Sequence, residues 1–289
     1  MPTALACPAS LKGTLSAVEA AAALASGFRA AGWEAVEQPV ADGGEGTLEV
    51  LSAALGGEWR EVDVHDAFGR PRVARWLALP NGEAVVEAAE AISLDPARLD
   101  PEAASSRGLG ELIEAVGRPR ALLVCLGGTA TMEAGAGLGL AELPAPTRVL
   151  CDTLARLQDA PRLFGPQKGV RDVAAVERRF ASLGLPDLPG GGAAGGLGAA
   201  LAALGAELVP GAAFVLDSIG FDPRGFDLVV TGEGLVDETT WTGKTPGEVV
   251  RRCREAGVAW HLFSARDDLS GKPGEALTAL ASGLAAERE

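Results

Sequence analysis

The stretch Phe226-Asp227-Leu228-Val229-Val230-Thr231-Gly232-Glu233-Gly234 decides how this chain is read. An apolar, β-branched run stopped by glycine reads as a buried strand. The glycines let the backbone turn sharply and approach a ligand closely. Glu233 stands just past the end of the strand, and Asp237 and Gly243-Lys244 follow shortly after. Residues 246–256 read as a helix with Pro246 in its first turn, and residues 258–264 as a final strand. Strand, polar loop, helix and strand form the repeating pattern of a parallel sheet. In such sheets ligands gather at the carboxyl ends of the strands.

Working outward, the same alternation recurs. Ala4-Leu5-Ala6-Cys7 is a short apolar strand. A helix starts at Ser16, where Ser16 and Glu19 form a capping-box pattern, and Ala17, Ala21, Leu24 and Phe28 give it an apolar face. Ala41-Asp42-Gly43-Gly44-Glu45-Gly46-Thr47 is a second acidic glycine loop, leading into a helix over residues 47–55. Val62, Val64 and residues 73–79 then alternate as strands, and Asn81-Gly82 marks a hairpin into residues 83–87. This antiparallel element signals a change of domain. A helix over residues 108–116 precedes the buried-strand run Ala121-Leu122-Leu123-Val124-Cys125-Leu126, which ends in Gly127-Gly128-Thr129-Ala130-Thr131. Val149-Leu150-Cys151 is a further strand, residues 172–183 an amphipathic helix, and residues 186–192 a loop opening a helix through Leu204.

Composition narrows the function. The 289 residues are 47% hydrophobic, enough for one large core or two ordinary ones. Charge is 25 basic against 39 acidic, net −14, which argues against nucleic acid or an anionic membrane as a general partner. A small anionic substrate would need a local positive site. No basic segment followed by a long apolar run occurs, so neither a secretory signal nor a membrane span is expected. The four cysteines include no C-x-x-C pair, and Cys7, Cys125 and Cys151 lie at or near apolar runs. Reduced thiols in a cytoplasmic protein are expected. Two distant histidines, His65 and His261, make no zinc site.

Several residues are candidates for chemistry. Gly243-Lys244-Thr245 looks like the end of a phosphate-binding P-loop, but Glu238 stands where that motif needs glycine. Lys244 either meets phosphate from the turn before the Pro246 helix or is a solvated lysine. Gly190, Gly192 and Gly195 satisfy G-x-G-x-x-G, yet no strand precedes them, so a dinucleotide fingerprint is not expected. Asp42 and Glu45 either cap a helix or bind a ligand or metal. Glu233 and Asp237 read as a magnesium-nucleotide pair, or as an acidic surface loop. Lys12, between Ser10 and Gly13, occupies a similar strand-end position, whereas Lys168, on a glycine-flanked segment, either meets phosphate or is a turn lysine.

Taken together, the motifs resemble the bacterial type I glycerate kinases. The matching stretches include Ser10-x-Lys12-Gly13-x-Leu15-Ser16-Ala17, the Asp42 loop, Gly69-Arg70-Pro71 and Ser106-x-Gly108-x-Gly110-Glu111-Leu112-Ile113. Gly127-Gly128-x-Ala130-Thr131, Gly135-Ala136-Gly137, Cys151-Asp152 and Phe164-Gly165-Pro166-Gln167-Lys168-Gly169 follow in the family's order. Ala193-Ala194-Gly195-Gly196-Leu197-Gly198 and the Thr231 to Lys244 segment complete it.

The resemblance implies ATP-dependent phosphorylation of glycerate and two α/β domains. One is flavodoxin-like with a parallel sheet, built from both chain ends, residues 1–58 and 212–289. The other is an inserted domain with a mixed sheet, residues 59–211. Lys12 and Lys244 are assigned to phosphate charge. Glu233 and Asp237, with Gly232 and Gly234, are assigned to the Mg²⁺ and ATP end. Asp42 and Glu45 orient the acid or assist proton removal, with Asp152 a second candidate. No nucleic-acid or membrane partner is expected.

The chain departs from the family's pattern at Ala9, Leu11, Met132, Glu133, Ala155, Leu235 and Thr239. Several of these replace polar groups by apolar ones in loops the resemblance puts at the site. Phosphoryl transfer depends mainly on positioning and electrostatics. A non-catalytic member of the same fold, binding a nucleotide, a small acid or a protein, is therefore the alternative reading.

Overall fold

A computed structural model describes residues 1–288 of the chain. Among the described residues ten strands run in chain order: β1 (Thr3–Ala6), β2 (Glu34–Glu37), β3 (Glu58–His65), β4 (Pro71–Ala78), β5 (Glu83–Glu87), β6 (Ala121–Leu126), β7 (Thr147–Cys151), β8 (Glu207–Pro210), β9 (Leu228–Glu233) and β10 (Trp260–Ser264). The chain divides into two units. The first comprises Met1–Ala41, Glu49–Ala54 and Val215–Glu289, and the second Asp42–Leu48 and Leu55–Phe214.

The first unit holds a four-stranded sheet in the order β10-β9-β1-β2, all parallel. Counted within the unit, this is the flavodoxin-like order of a doubly wound sheet. Side chains alternate across β1, and both sets are buried. Ala4 and Ala6 pack with Leu24, Phe28, Leu228, Val230 and Phe263. Leu5 and Cys7 pack with Val40, Val229, Val249 and Cys253. Burial on both faces is why these strands read as unbroken apolar runs. The Ala17–Ala30 helix begins with the expected capping box: Glu19 N donates to Ser16 Oγ at 3.2 Å, and Ser16 N donates to Glu19 Oε2 at 2.8 Å. Such a cap is worth about 1 kcal/mol.

The second unit holds a six-stranded sheet ordered β3-β4-β5-β6-β7-β8. β3, β4 and β5 pair antiparallel, and β5 through β8 pair parallel. In the turn at Asn81-Gly82, Glu83 N donates to Asn81 Oδ1 at 3.0 Å. Val86, Val124 and Val149 form a registered row across the sheet. They pack in one core with Leu109, Leu112 and Ile113 of the Arg107–Ala115 helix and with Leu197 and Leu201 of the Ala193–Ala203 helix. Register also pairs Glu87 with Cys125 and Leu126 with Cys151. The three parallel strands β5, β6 and β7 therefore end close to level.

The α/β class, with one parallel and one mixed sheet, agrees with the sequence reading. Local differences remain. β2 and β8, and the Pro273–Ala286 helix, go beyond the elements read from sequence. Lys168 closes a helix, Ala160–Lys168, where a turn was expected; Pro161 starts it and Gly169 at φ 90° stops it.

Candidate active site

In the second unit, four chain segments meet at the carboxyl ends of β5, β6 and β7. The Asp42–Leu48 segment lies against the 127–131 loop. A Cβ added at Gly127 would stand 2.5 Å from Gly44 Cα and 2.9 Å from Asp152 Oδ2, so only glycine permits this approach. Asp42 Oδ1 accepts from Gly44 N at 3.1 Å, which closes a short turn. Thr47 Oγ1 donates to Gly44 O at 2.7 Å. Glu45 lies beside Gly128, its Oε2 3.2 Å from where a Cβ would be. Asp42, Glu45 and Asp152 thus belong to one cluster at the strand ends.

Two buried ionisable residues complete the cluster: Glu87, which the sequence reading left out, and Lys168, which it read as a phosphate contact or a turn lysine. Glu87, the last residue of β5, is buried. Gly46 N donates to its Oε1 at 2.9 Å and Leu48 N to its Oε2 at 3.2 Å. Glu87 therefore accepts from two backbone donors at the start of the Thr47–Leu55 helix, a capping role the sequence reading gave to Asp42 and Glu45 as one alternative. Burial pushes its carboxyl up to about 8, with Glu90 and Glu45 adding to the rise and the two backbone donors opposing it. Glu87 is protonated at neutral pH.

Lys168 is the second. It is buried, and its Nζ donates to Thr129 Oγ1 at 3.2 Å and to Thr131 O at 2.9 Å. Burial pulls its ammonium down to about 8, while Asp152 favours the charged form. A lysine just before a C-terminal glycine usually lies on a solvated helix end. The only warning in the sequence is the Pro161 start, which makes the segment a helix rather than a turn.

In the first unit, β9 ends at Glu233 beside Ser264, its partner on β10. Ala9 N donates to Gly232 O at 2.9 Å, so the loop after β1 is laid along the same strand end. Lys12 is exposed on the tight turn bridged by Leu11 and Leu15. Lys244 Nζ donates to Glu233 Oε2 at 3.3 Å, and Thr240 Oγ1 donates to Glu233 Oε1 at 2.7 Å. Lys244 is thus paired, not merely solvated. It also forms the N-cap of the Thr245–Ala256 helix, with Pro246 in the first turn. Asp237 caps the Glu238–Trp241 turn: its Oδ1 accepts from Thr239 N at 2.8 Å and from Thr239 Oγ1. The hydroxyl of Thr239 is the main reason its carboxyl is held below the usual range.

Among the described residues, no group of three or more His, Cys, Asp or Glu side chains could hold a metal ion. Glu233 and Asp237 are the two carboxylates that the sequence reading gave to magnesium. Both are oxygen donors, and each carboxylate retains accepting capacity beyond its hydrogen bonds. Mg²⁺ in nucleotide sites is commonly bound by one or two carboxylates, with water and phosphate oxygens supplying the rest.

The sequence profile of the glycerate kinase family matches residues 4–145 and 144–275. The chain belongs to this family. The glycerate 2-kinase of Escherichia coli (strain K12) is 36% identical over 299 residues, covering 83% of this chain and 78% of that protein. The glycerate kinase of Bacillus subtilis (strain 168) is 33% identical, covering 87% and 81%. The crystal structure of a candidate glycerate kinase 2 from Salmonella typhimurium LT2 superposes with a TM-score of 0.76 at 29% identity, covering 99% of this chain and 98% of that one. Membership of a kinase family implies a nucleotide substrate. No described helix is long and apolar enough to cross a membrane.

Two of the residues that the resemblance marks as departures, Met132 and Glu133, have structural roles. Met132 is buried with Leu157, Ala160, Phe180 and Ala199, so it fills a core rather than lining a site. Glu133 Oε1 accepts from Ser106 N and Ser106 Oγ, both at 2.6 Å, and from Gly137 N at 3.1 Å. Leu235, by contrast, is exposed beside the Glu233 loop.

Proposed function

We propose that this chain phosphorylates glycerate, or a closely similar small hydroxy acid, with Mg·ATP. The observation that carries the reading is the family match across residues 4–145 and 144–275, which spans every loop described above. In the second unit, Asp42, Glu45 and Asp152 supply carboxylates at the strand ends, where a substrate hydroxyl can be oriented and its proton accepted. In the first unit, Lys244 and Lys12 supply positive charge for phosphate. The N-terminus of the Thr245–Ala256 helix, 12 residues long, adds its own preference for anions. Glu233 and Asp237 would hold the magnesium ion, which neutralises phosphate charge when bound.

In the reaction, the substrate oxygen forms a bond to the γ-phosphorus as the bond to the β-bridging oxygen breaks. ADP leaves with that electron pair, and the hydroxyl proton passes to a carboxylate. The chain's residues act by orientation and electrostatics, the usual source of catalysis in phosphoryl transfer.

A coupled ADP-release assay with D-glycerate, L-glycerate and related hydroxy acids tests this. Turnover on the order of 1–100 s⁻¹ is expected for a kinase. Absence of ADP release with every hydroxy acid would refute it.

A further inference from the structure

Lys168 takes no part in the chemistry above, yet it is the most unusual charge in the second unit. Its side chain lies inside the protein, with the residue only 5% exposed. Its two acceptors, Thr129 and Thr131, are themselves buried at 1% and 0% exposure. Thr131 O is also pressed from another side: a Cβ on Gly195, at φ +68°, would stand 2.0 Å from it. The ammonium is therefore held in one place. It carries three donors, and the two threonine oxygens use two of them. With its pKa near 8 it remains charged at neutral pH.

The surroundings explain why a buried charge is useful here. Asp42, Glu45 and Asp152 gather around residues 127–131, and Glu87 beside them is neutral. A carboxylate substrate entering such a cluster would meet three negative groups. Lys168 is bonded to that loop and interacts electrostatically with Asp152.

We propose that Lys168 determines the specificity of the site for an acid, its fixed ammonium offsetting the surrounding carboxylates so that the substrate's own carboxylate is accepted. This rests on the glycerate kinase reading of the second unit. A lysine that served only to hold the loop would leave the preference for charged over neutral ligands unchanged.

The test compares D-glycerate with its neutral amide, glyceramide, as substrate and competitor. Lys168→Gln keeps hydrogen-bond donors and removes the charge. For charges about 4–6 Å apart at an effective dielectric near 20, the KM for glycerate should rise on the order of 10²- to 10³-fold. The KM for ATP and the inhibition constant of glyceramide should each change less than about threefold, below the energy of one charge interaction. The acid-over-amide preference then collapses, while Lys168→Arg, which keeps the charge, retains it. A Lys168→Gln protein that keeps the wild-type preference overturns the proposal. So does a folded Lys168→Arg protein that loses the preference, even where Lys168→Gln does not fold. Wild-type protein that neither binds nor phosphorylates any hydroxy acid overturns the kinase reading and this proposal together. Wild-type turnover with an unchanged preference in the variant overturns this proposal alone.

Discussion

Replacing Glu87 by glutamine should reverse sign in its effect on stability as pH rises. In the folded protein the Glu87 carboxyl is pushed from 4.5 up to about 8, chiefly by burial. Between those values the unfolded chain has released the proton and the folded chain still holds it. Folding stability therefore falls as pH rises through that window, by about 1.4 kcal/mol per pH unit. The loss over the whole window is on the order of 5 kcal/mol. Glutamine carries no titrating proton, so Glu87→Gln removes this slope. It has a separate cost, because an amide offers one acceptor oxygen where Glu87 meets both Gly46 N and Leu48 N. Losing one such bond costs about 1 kcal/mol. The variant should accordingly be less stable than wild type by about 1 kcal/mol at pH 4, roughly equal near pH 5, and more stable by several at pH 8. Urea unfolding of both proteins at pH 4, 5, 6, 7 and 8, followed by circular dichroism, reads the difference directly. Other titrating groups cancel between the two proteins. Parallel stability curves would refute the reasoning, since they would mean that Glu87 is ionised in the folded state.

Three further outcomes are expected. Lys244→Ala should weaken ATP by roughly 10- to 100-fold in calorimetry, as expected for loss of a charge-assisted contact, and leave glycerate affinity nearly unchanged. Equal affinity for ATP would remove Lys244 from the nucleotide end. Thr245→Val should raise the unfolding midpoint, because the buried Thr245 hydroxyl has no hydrogen-bond partner and valine keeps its shape; a lowered midpoint would show that the hydroxyl is satisfied. Met132→Asn should cost about 2–4 kcal/mol in denaturant titration, since it places an amide among Leu157, Phe180 and Ala199. A neutral result would mean that the position is open to water.

What the sequence disclosed follows the physics of each segment. β9 and its Glu233 loop were legible because a strand buried on both faces must be apolar throughout, and the glycine that ends it is conspicuous. The Ser16 capping box was legible because it is a local pattern three residues apart. β2 was hidden for the opposite reason. Its sequence Glu34-Ala35-Val36-Glu37 is largely exposed, and it is a strand because β1 offers backbone partners from Thr3 to Ala6. The Pro273–Ala286 helix earns its place by packing Leu277, Ala281 and Ala285 into the first unit's core, a contact between distant parts of the chain. At the site, Asp42 and Glu45 were visible as acids beside glycines, and Asp152 through the Cys151-Asp152 motif of the resemblance. Glu87 was not, and Lys168 was visible only as a phosphate contact or a turn lysine, because their roles come from burial, and burial is decided by segments far away in sequence. Asp237 shows the same limit from the other side: its capping bonds to Thr239 could be read locally, but its share in a ligand site could not.

The Asp42–Leu48 segment has a consequence for how this architecture can be cut and recombined. It folds with the second unit, although the residues on both sides of it, Met1–Ala41 and Glu49–Ala54, belong to the first. A gene fragment trimmed to start at β3 would look like a self-contained insert. It would leave Glu87 with neither Gly46 nor Leu48 to receive, and it would carry Asp152 without Asp42 or Glu45. Transplanting the second unit into another scaffold therefore requires two pieces of chain, and a single crossover cannot move it whole.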